Sequence, residues 1–189
     1  MPTKRKEALI KALKDHDQKV REVASTALDH LEAREGLRSI FESYKTGDVA
    51  TKLRAILAVK KLKERRAVKM LTHATKSEFP EIRAAAAETI GVLRIEEASA
   101  AVINLLQDEL PDVVERAACA LGLMECRAAV PALLVLLENE DEKTRLVAIE
   151  VLGQTGSPQA EPSLLKMLEE GSALIRAKAA KALGELCLG

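Results

Sequence analysis

Residues 141–168 read DEKTRLVAIEVLGQTGSPQAEPSLLKML and contain the pattern from which the fold of this chain can be predicted. Ala148 and Leu152 lie four residues apart, so they share one face of a helix. Gly156, Ser157 and Pro158 then interrupt the apolar pattern, as residues of a turn do. The stretch therefore predicts the second helix of one unit, a break, and the first helix of the next unit.

The same features recur every 31 residues along the chain. Ala148 and Leu152 belong to two columns of apolar residues at that spacing: Ala24, Ala55, Ala86, Ala117, Ala148 and Ala179, and Leu28, Val59, Ile90, Leu121, Leu152 and Leu183. A fixed period in this range is the signature of a solenoid. Six copies account for 186 of the 189 residues, which leaves no room for a separate catalytic domain.

The period predicts an all-α fold, an α-α superhelix of six two-helix repeats. We expect one domain over residues 1–189, with repeats at approximately 4–34, 35–65, 66–96, 97–127, 128–158 and 159–189. The first helix of each repeat carries the apolar column Leu9, Ile40, Leu71, Val102, Leu133 and Leu164. Asp17, Asp48, Asp141 and Ser172 stand where the second helices begin, and such residues cap helix N-termini. In repeats three and four Pro80 and Pro111 fit the first helical position instead.

With its pattern D-x-x-[VIT]-R-x-x-A-x-x-x-L-G, residues 141–168 resemble a HEAT repeat of the short, 31-residue class. This class was first noticed in phycobilisome lyases and is also the basis of artificial helical repeat proteins. The resemblance covers the whole chain and implies an α-α superhelix. It also implies that the repeated Asp and Arg residues form a ladder between neighbouring repeats. The pattern is broken by Val114 in the Arg column and by Asp29 and Lys60 in the Gly column.

Composition excludes several classes of protein. The chain is 48% hydrophobic and 31% charged, which is typical of a folded domain, and no apolar run reaches the length of a membrane span. The N-terminus has basic residues but no apolar block after them, unlike a secretory signal. Cys119, Cys126 and Cys187 are odd in number and sit in helical patterns, so we expect buried, reduced thiols and a cytoplasmic protein.

No constellation of residues indicates catalysis or metal binding. His16, His30 and His73 fall in different columns, and Cys119 and Cys126 have no histidine at ligand spacing. The sequence contains no phosphate-binding loop and no nucleophile-elbow or dinucleotide-binding motif. We therefore expect no enzymatic activity, no cofactor and no metal.

Charge is divided unevenly along the chain. Residues 1–76 hold 19 Lys/Arg and 10 Asp/Glu, a net of +9, and residues 77–189 carry the opposite net of −9. Basic side chains are densest between Lys60 and Lys69, and together with Arg54 they form what we call the basic patch: Arg54, Lys60, Lys61, Lys63, Arg65, Arg66 and Lys69. Such a patch can steer an acidic partner, or it can be an ordinary solvated surface. Nucleic acid is disfavoured as a partner because the chain has no Trp and one Tyr for base stacking.

Apolar residues also occupy the outward sides of several second helices. In HEAT-like proteins the second helices line the concave surface, so these positions should face a groove. They form what we call the apolar strip: Leu53, Leu57, Val92, Leu123, Leu146 and Val147. An apolar strip rimmed by charges indicates a partner-binding surface. The alternative is that some members, especially Val147, pack against the adjacent repeat.

Together these observations favour a non-enzymatic scaffold or adaptor that holds a partner protein or peptide on its concave surface. One alternative, implied by the family resemblance, is a phycobilin-lyase-like or chaperone-like role on a cofactor-bearing protein. A second is nucleic-acid binding through the basic N-terminal half. The apolar C-terminus, Leu186 to Gly189, leaves end-to-end self-association open.

Overall fold

The computed structural model describes residues 4–186 and divides into two compact units, residues 1–47 and 48–189. All regular structure in the described residues is helical, which confirms the all-α solenoid class. In this part of the chain no helix is both long and apolar enough to cross a membrane. The single-domain boundary and the repeat limits stay predictions.

The second unit alternates short first helices with longer second helices. The first helices are α4 (Val68–Ala74), α6 (Ser99–Asn104), α8 (Val130–Leu136) and α10 (Glu161–Glu170). The second helices are α3 (Val49–Leu62), α5 (Pro80–Leu93), α7 (Pro111–Leu123), α9 (Glu142–Gln154) and α11 (Ala173–Leu186). Each second helix packs on the next one along the chain.

The core of this unit consists of the repeating apolar columns. The alanine column is buried throughout, and Ala86 and Ala117 have no exposed surface. Leu71, Val102, Leu133 and Leu164 of the first helices are equally enclosed. Small alanines let the second helices approach closely, and the larger aliphatic residues fill the space between the two layers.

The second helices begin where the capping residues predict. The Asp48 carboxylate accepts a hydrogen bond from the Thr51 amide at 2.8 Å, and Asp141 accepts one from Thr144 at 2.8 Å. The Ser172 hydroxyl accepts from the Ile175 amide at 3.3 Å. Helices α5 and α7 start on Pro80 and Pro111, whose missing N–H needs no partner at that position.

A shared turn joins consecutive repeats of the second unit. One residue adopts the left-handed conformation, and a short 3₁₀ turn follows whose third residue is a buried alanine. The left-handed residues are Lys63, Arg94, Glu125 and Gly156, and the alanines are Ala67, Ala98, Ala129 and Ala160. A left-handed backbone costs an L-residue about 1–2 kcal/mol. Burial of the following alanine against the helices helps to offset that cost.

The first unit lacks this turn. It contains α1 (Lys4–Ala12) and a single 29-residue helix, α2 (Gln18–Thr46). Six two-helix repeats predict twelve helices, but the described residues contain eleven α-helices because α2 runs from repeat one into repeat two. At the place of the buried alanine the chain has Gly36, which is exposed. Without a methyl group to bury, nothing offsets the cost of the left-handed residue, and the helix continues. Lys6 Nζ joins α1 to α2 by an ion pair with Glu32 at 2.8 Å.

Candidate partner-binding surface

The exposed sides of α3, α5, α7, α9 and α11 form one surface of the second unit, which we call the second-helix face. The residues on it recur every 31 positions, because each helix presents the same side as its neighbour. One column on this face is Leu53, Ala84, Glu115, Leu146 and Ala177, and another is Lys61, Val92, Leu123, Gln154 and Glu185. The apolar strip is therefore spread over four of the five helices.

The members of the apolar strip differ in exposure. Leu57 is 54% exposed, and Val92 and Leu123 are each 47% exposed on neighbouring helices. Leu53, Leu146 and Val147 are half-buried, so they contact neighbouring side chains and still reach the surface. The concave placement of the strip and its binding of a partner stay predictions.

Ion pairs cross this face from each second helix to the next. Each of these pairs joins residues 28 positions apart. This is three fewer than the repeat, so each side chain contacts one that lies about one helical turn earlier on the next second helix. Glu88 is held by both Lys60 and Arg116, the latter at 2.7 Å. Lys143 pairs with Glu115 at 2.6 Å, and Lys178 with Glu150 at 2.6 Å. These pairs link all five second helices, and the Lys60 hydrogen bond is the main reason that the pKa of Glu88 lies below its ordinary value.

The repeated arginines play a different role from the predicted ladder. Arg21 donates to the carbonyl oxygens of Asp15 and His16, and Arg145 donates in the same way to Asn139 and Glu140. These bonds close the turn between the two helices of one repeat, because that turn leaves carbonyl groups without helical partners. The expectation of an Asp–Arg ladder between repeats is therefore wrong for these arginines.

Arg83 is the member of this column that also reaches the next repeat. Its guanidinium binds both carboxylate oxygens of Asp108, at 2.7 and 2.8 Å, and both side chains are largely buried. Burial by itself raises the pKa of Asp108, but the Arg83 bonds and the Leu110 amide hold it below its ordinary value. This fork-shaped pair fixes the stacking of repeats three and four.

The basic patch divides into engaged and open residues. Lys60 is bound to Glu88, Arg66 is bound to Glu64 at 2.6 Å, and Arg65 donates to the carbonyl of Arg94 at 2.9 Å. The remaining members are exposed on different elements and form no ion pair among the described residues: Arg54 and Lys61 on α3, Lys63 in the turn, and Lys69 on α4. Arg54 donates a hydrogen bond to the Thr51 hydroxyl at 3.3 Å. Of these four, only Arg54 and Lys61 lie on the second-helix face with Leu57, at the helical spacing of three and four residues.

Two residues were placed incompletely from the sequence. Cys119 lies exposed on α7 and Cys126 is half-buried, so the expectation of buried thiols is wrong for Cys119; Cys187 lies outside the described residues. Leu174, 58% exposed in the first turn of α11, was missed. The signal for it was available, because Leu174 follows Glu81, Asp112 and Lys143 in one column of charged residues. Within residues 4–186 no group of three His, Cys, Asp or Glu side chains is placed to hold a metal ion.

Known structures with this fold include natural and designed repeat proteins. An engineered protein shares 17% identity and a TM-score of 0.62, with 98% of each chain covered. The complex of CpcE and CpcF of phycocyanin lyase from a Nostoc species shares 22% identity and a TM-score of 0.57, covering 98% of this chain and 78% of that one. A designed armadillo repeat protein in complex with the peptide (KR)4 shares 14% identity and a TM-score of 0.63, covering 97% and 100%. At these identities the likeness shows the fold alone.

Sequence comparison identifies the family. No curated protein matches the chain at a significant level. The family described as HEAT repeats matches residues 68–138 and 130–188, which together make up more than half of the chain. The buried columns, the capped second helices and the stacked repeats of the second unit agree with this match. The chain belongs to the HEAT-repeat family.

Proposed function

We propose that this protein is a non-enzymatic scaffold that holds a partner protein or peptide on its second-helix face. The observation that carries the proposal is the exposure of Leu57, Val92 and Leu123 on three consecutive second helices. The repeat core does not require them, since Glu88 and Cys119 occupy the column of Leu57, and Gln154 follows Leu123 in its own column. Burying one such side chain in a complex contributes about 1.5–3 kcal/mol.

Two further features support a protein partner. Arg54 and Lys61 flank Leu57 with no carboxylate bound to them among the described residues, so this end of the face suits an acidic group. Repeat proteins of the same fold are found with protein or peptide partners, as in the CpcE–CpcF complex and the armadillo–peptide complex. A cytoplasmic location for the scaffold remains part of the proposal.

The experiment is affinity purification with a surface variant and a matched control. Leu57→Asp with Leu123→Asp should remove the partners that the wild-type chain enriches, because two carboxylates would have to be buried in the interface. The control is Val135→Asp with Leu165→Asp, which introduces the same charges at exposed apolar positions on first helices. Thermal melts of both variants should stay close to wild type.

The proposal fails if the same partners remain bound to the Leu57/Leu123 variant, or if the control loses them equally. The lyase-like alternative instead predicts that the purified protein carries a chromophore with visible absorbance. The nucleic-acid alternative predicts binding that weakens steeply with salt. It has less support because Lys60, Arg65 and Arg66 already have partners within the chain.

A further inference from the structure

A cleft of about 770 Å³ opens on the second-helix face over the N-terminal halves of α5 and α7 and reaches Lys143 of α9. Its floor is formed by Ala84 and Ala85, where the next repeat carries Glu115 and Arg116. The small side chains of repeat three therefore create the depression. The repeat pattern of the sequence does not predict this cleft, because the cleft forms only where neighbouring helices pack side by side.

The charges around this cleft do not balance. Glu88 is bound by Lys60 and Arg116, and Glu115 is bound by Lys143. Two carboxylates remain, Glu81 and Asp112, in the first turns of neighbouring helices; neither is joined to a cation by an ion pair among residues 4–186. Arg83 lies near enough to Glu81, and Lys143 near enough to Asp112, for a weak electrostatic interaction. The main partner of Arg83 is Asp108, however, and that of Lys143 is Glu115. The cleft thus carries excess negative charge next to an apolar floor.

An apolar pocket of about 300 Å³ adjoins the cleft at Lys143. It lies between α9 and α11 and is lined by Leu146, Val147, Leu174 and Ala177. Leu174 is largely exposed in this pocket. The lining also includes Glu150 and three lysines, and each lysine is paired with a glutamate: Lys143 with Glu115, Lys178 with Glu150, and Lys181 with Glu185. The pocket therefore offers apolar contact rather than free charge.

We propose, building on the second-helix face as the partner surface, that these two depressions hold one extended peptide segment of the partner. An arginine or lysine of that segment lies over Glu81 and Asp112, and an aliphatic side chain fills the pocket at Leu146 and Leu174. The cationic side chain lays its aliphatic stem on Ala84 and Ala85 and directs its charge to the carboxylates. An acidic segment or a nucleic acid meets repulsion at the same place.

The geometry sets the spacing of the two anchors. Packed helices lie about 8–10 Å apart, and the pocket is two helix positions away from the centre of the cleft, which makes about 16–20 Å. An extended chain advances about 3.3 Å per residue. The basic and aliphatic residues should therefore be separated by about six residues.

The test measures fluorescence anisotropy with three labelled synthetic peptides and the full chain. The first peptide carries two arginines and, six residues away, two leucines in a Gly/Ser background. The second replaces the arginines by glutamates, and the third replaces the leucines by serines. We expect the first peptide to bind at least tenfold more tightly than either of the others.

Matched variants locate the binding. Glu81→Lys with Asp112→Lys should weaken binding of the first peptide at least tenfold and strengthen binding of the glutamate peptide. Glu81→Gln with Asp112→Asn, which disturbs the helix starts less, should give a smaller loss in the same direction. Leu174→Ser should reduce affinity for the leucine-containing peptides alone. The control Glu96→Lys with Glu97→Lys changes two exposed acids in a turn outside the cleft and should change nothing.

The inference is overturned if the glutamate peptide binds as tightly as the arginine peptide, if the control variant behaves like the cleft variant, or if no peptide binds at millimolar concentration. Failure here is distinct from failure of the proposed function. A partner that depends on Leu57 and Leu123 but ignores Glu81 and Asp112 would retain the scaffold role and reject only this groove.

Discussion

The thiol of Cys119 lies on the second-helix face within the influence of two carboxylates. Partial burial raises its pKa above the ordinary value, and Glu115 and Glu150 raise it further. A thiol reacts as the thiolate, so a raised pKa lowers reactivity near neutral pH even though the residue is exposed. Exposure alone would suggest a reactive cysteine here.

We expect Cys119 to react slowly with iodoacetamide at neutral pH and to speed up only as the pH rises above the usual thiol range. Glu115→Gln with Glu150→Gln should shift the pH–rate midpoint downward, because it removes two negative charges and releases Lys143 and Lys178 from their partners. The measurement uses a chain with Cys126 and Cys187 replaced by Ser, followed by mass spectrometry. A midpoint that stays unchanged in the glutamine variant would contradict the electrostatic explanation.

Among the helices, the close approach of α5 and α7 depends on one glycine. A Cβ added at Gly91 would lie 2.6 Å from Cα of Ala120, a backbone atom that cannot move without shifting the helix. Gly184 holds the equivalent position in α11, and an added Cβ there meets no atom of residues 4–186 within 4 Å. The same position of the repeat therefore requires glycine in α5 but can accept a larger residue in α11.

Gly91→Ala should destabilise the protein by about 1–3 kcal/mol through overpacking. Gly184→Ala should stabilise it by up to about 1 kcal/mol, because alanine is the better helix former and no clash opposes it. Urea denaturation of the two variants against wild type measures both effects. If both substitutions change stability in the same direction, the close packing of α5 on α7 is not what requires glycine at position 91.

Helix α2 shows how a small change in the repeat alters an element. The periodicity predicts a break between repeats one and two, yet the chain stays helical from Gln18 to Thr46. Left-handed residues at the later turns include Lys63, Arg94 and Glu125, so glycine is not what makes a turn here. The feature that these turns share is the buried alanine that follows each of them. Gly36 stands at the equivalent position of repeat two, but its importance can be recognised only when the structure shows that the alanines are buried.

Across the whole molecule, buried side chains are distributed unequally between the two units. Of the described residues in α1 and α2, Ala24 and Tyr44 are buried, whereas α5 and α7 each bury seven residues. Local opening is easiest where few apolar contacts must be broken. The first unit should therefore open at a lower free energy than the centre of the second unit.

Hydrogen exchange followed by mass spectrometry tests this expectation. Amides of residues 18–43 should exchange faster than those of residues 80–93 and 111–123 at equal intrinsic rates. Gly91→Ala should speed exchange in α5 and α7 more than in α2. Equal protection of both units would show that the difference in burial does not control their local stability.

Charge also reorganises at the scale of the molecule. The chain is basic in residues 1–76 and acidic afterwards, which predicts a simple division along the array. On the second-helix face the pattern is finer. Among residues 4–186, Arg54 and Lys61 have no carboxylate bound to them, Glu81 and Asp112 form no ion pair, and an apolar pocket lies beside paired lysines at α9 and α11. This pattern cannot be predicted by counting charges along the sequence, because ion pairs between helices neutralise the charges of particular side chains and leave others without a partner of opposite charge.

Periodicity and residue type are enough to predict the family, the helical repeat, the buried alanine and aliphatic columns, and the residues that start the second helices. These features follow from the helix period and from capping, which act within about one repeat. Tertiary structure alone decided which strip residues stay exposed, which cations are neutralised 28 positions away, and where Ala84 and Ala85 leave a cleft. Those outcomes depend on the offset between stacked helices, and that offset is set by packing contacts between repeats rather than by any local pattern.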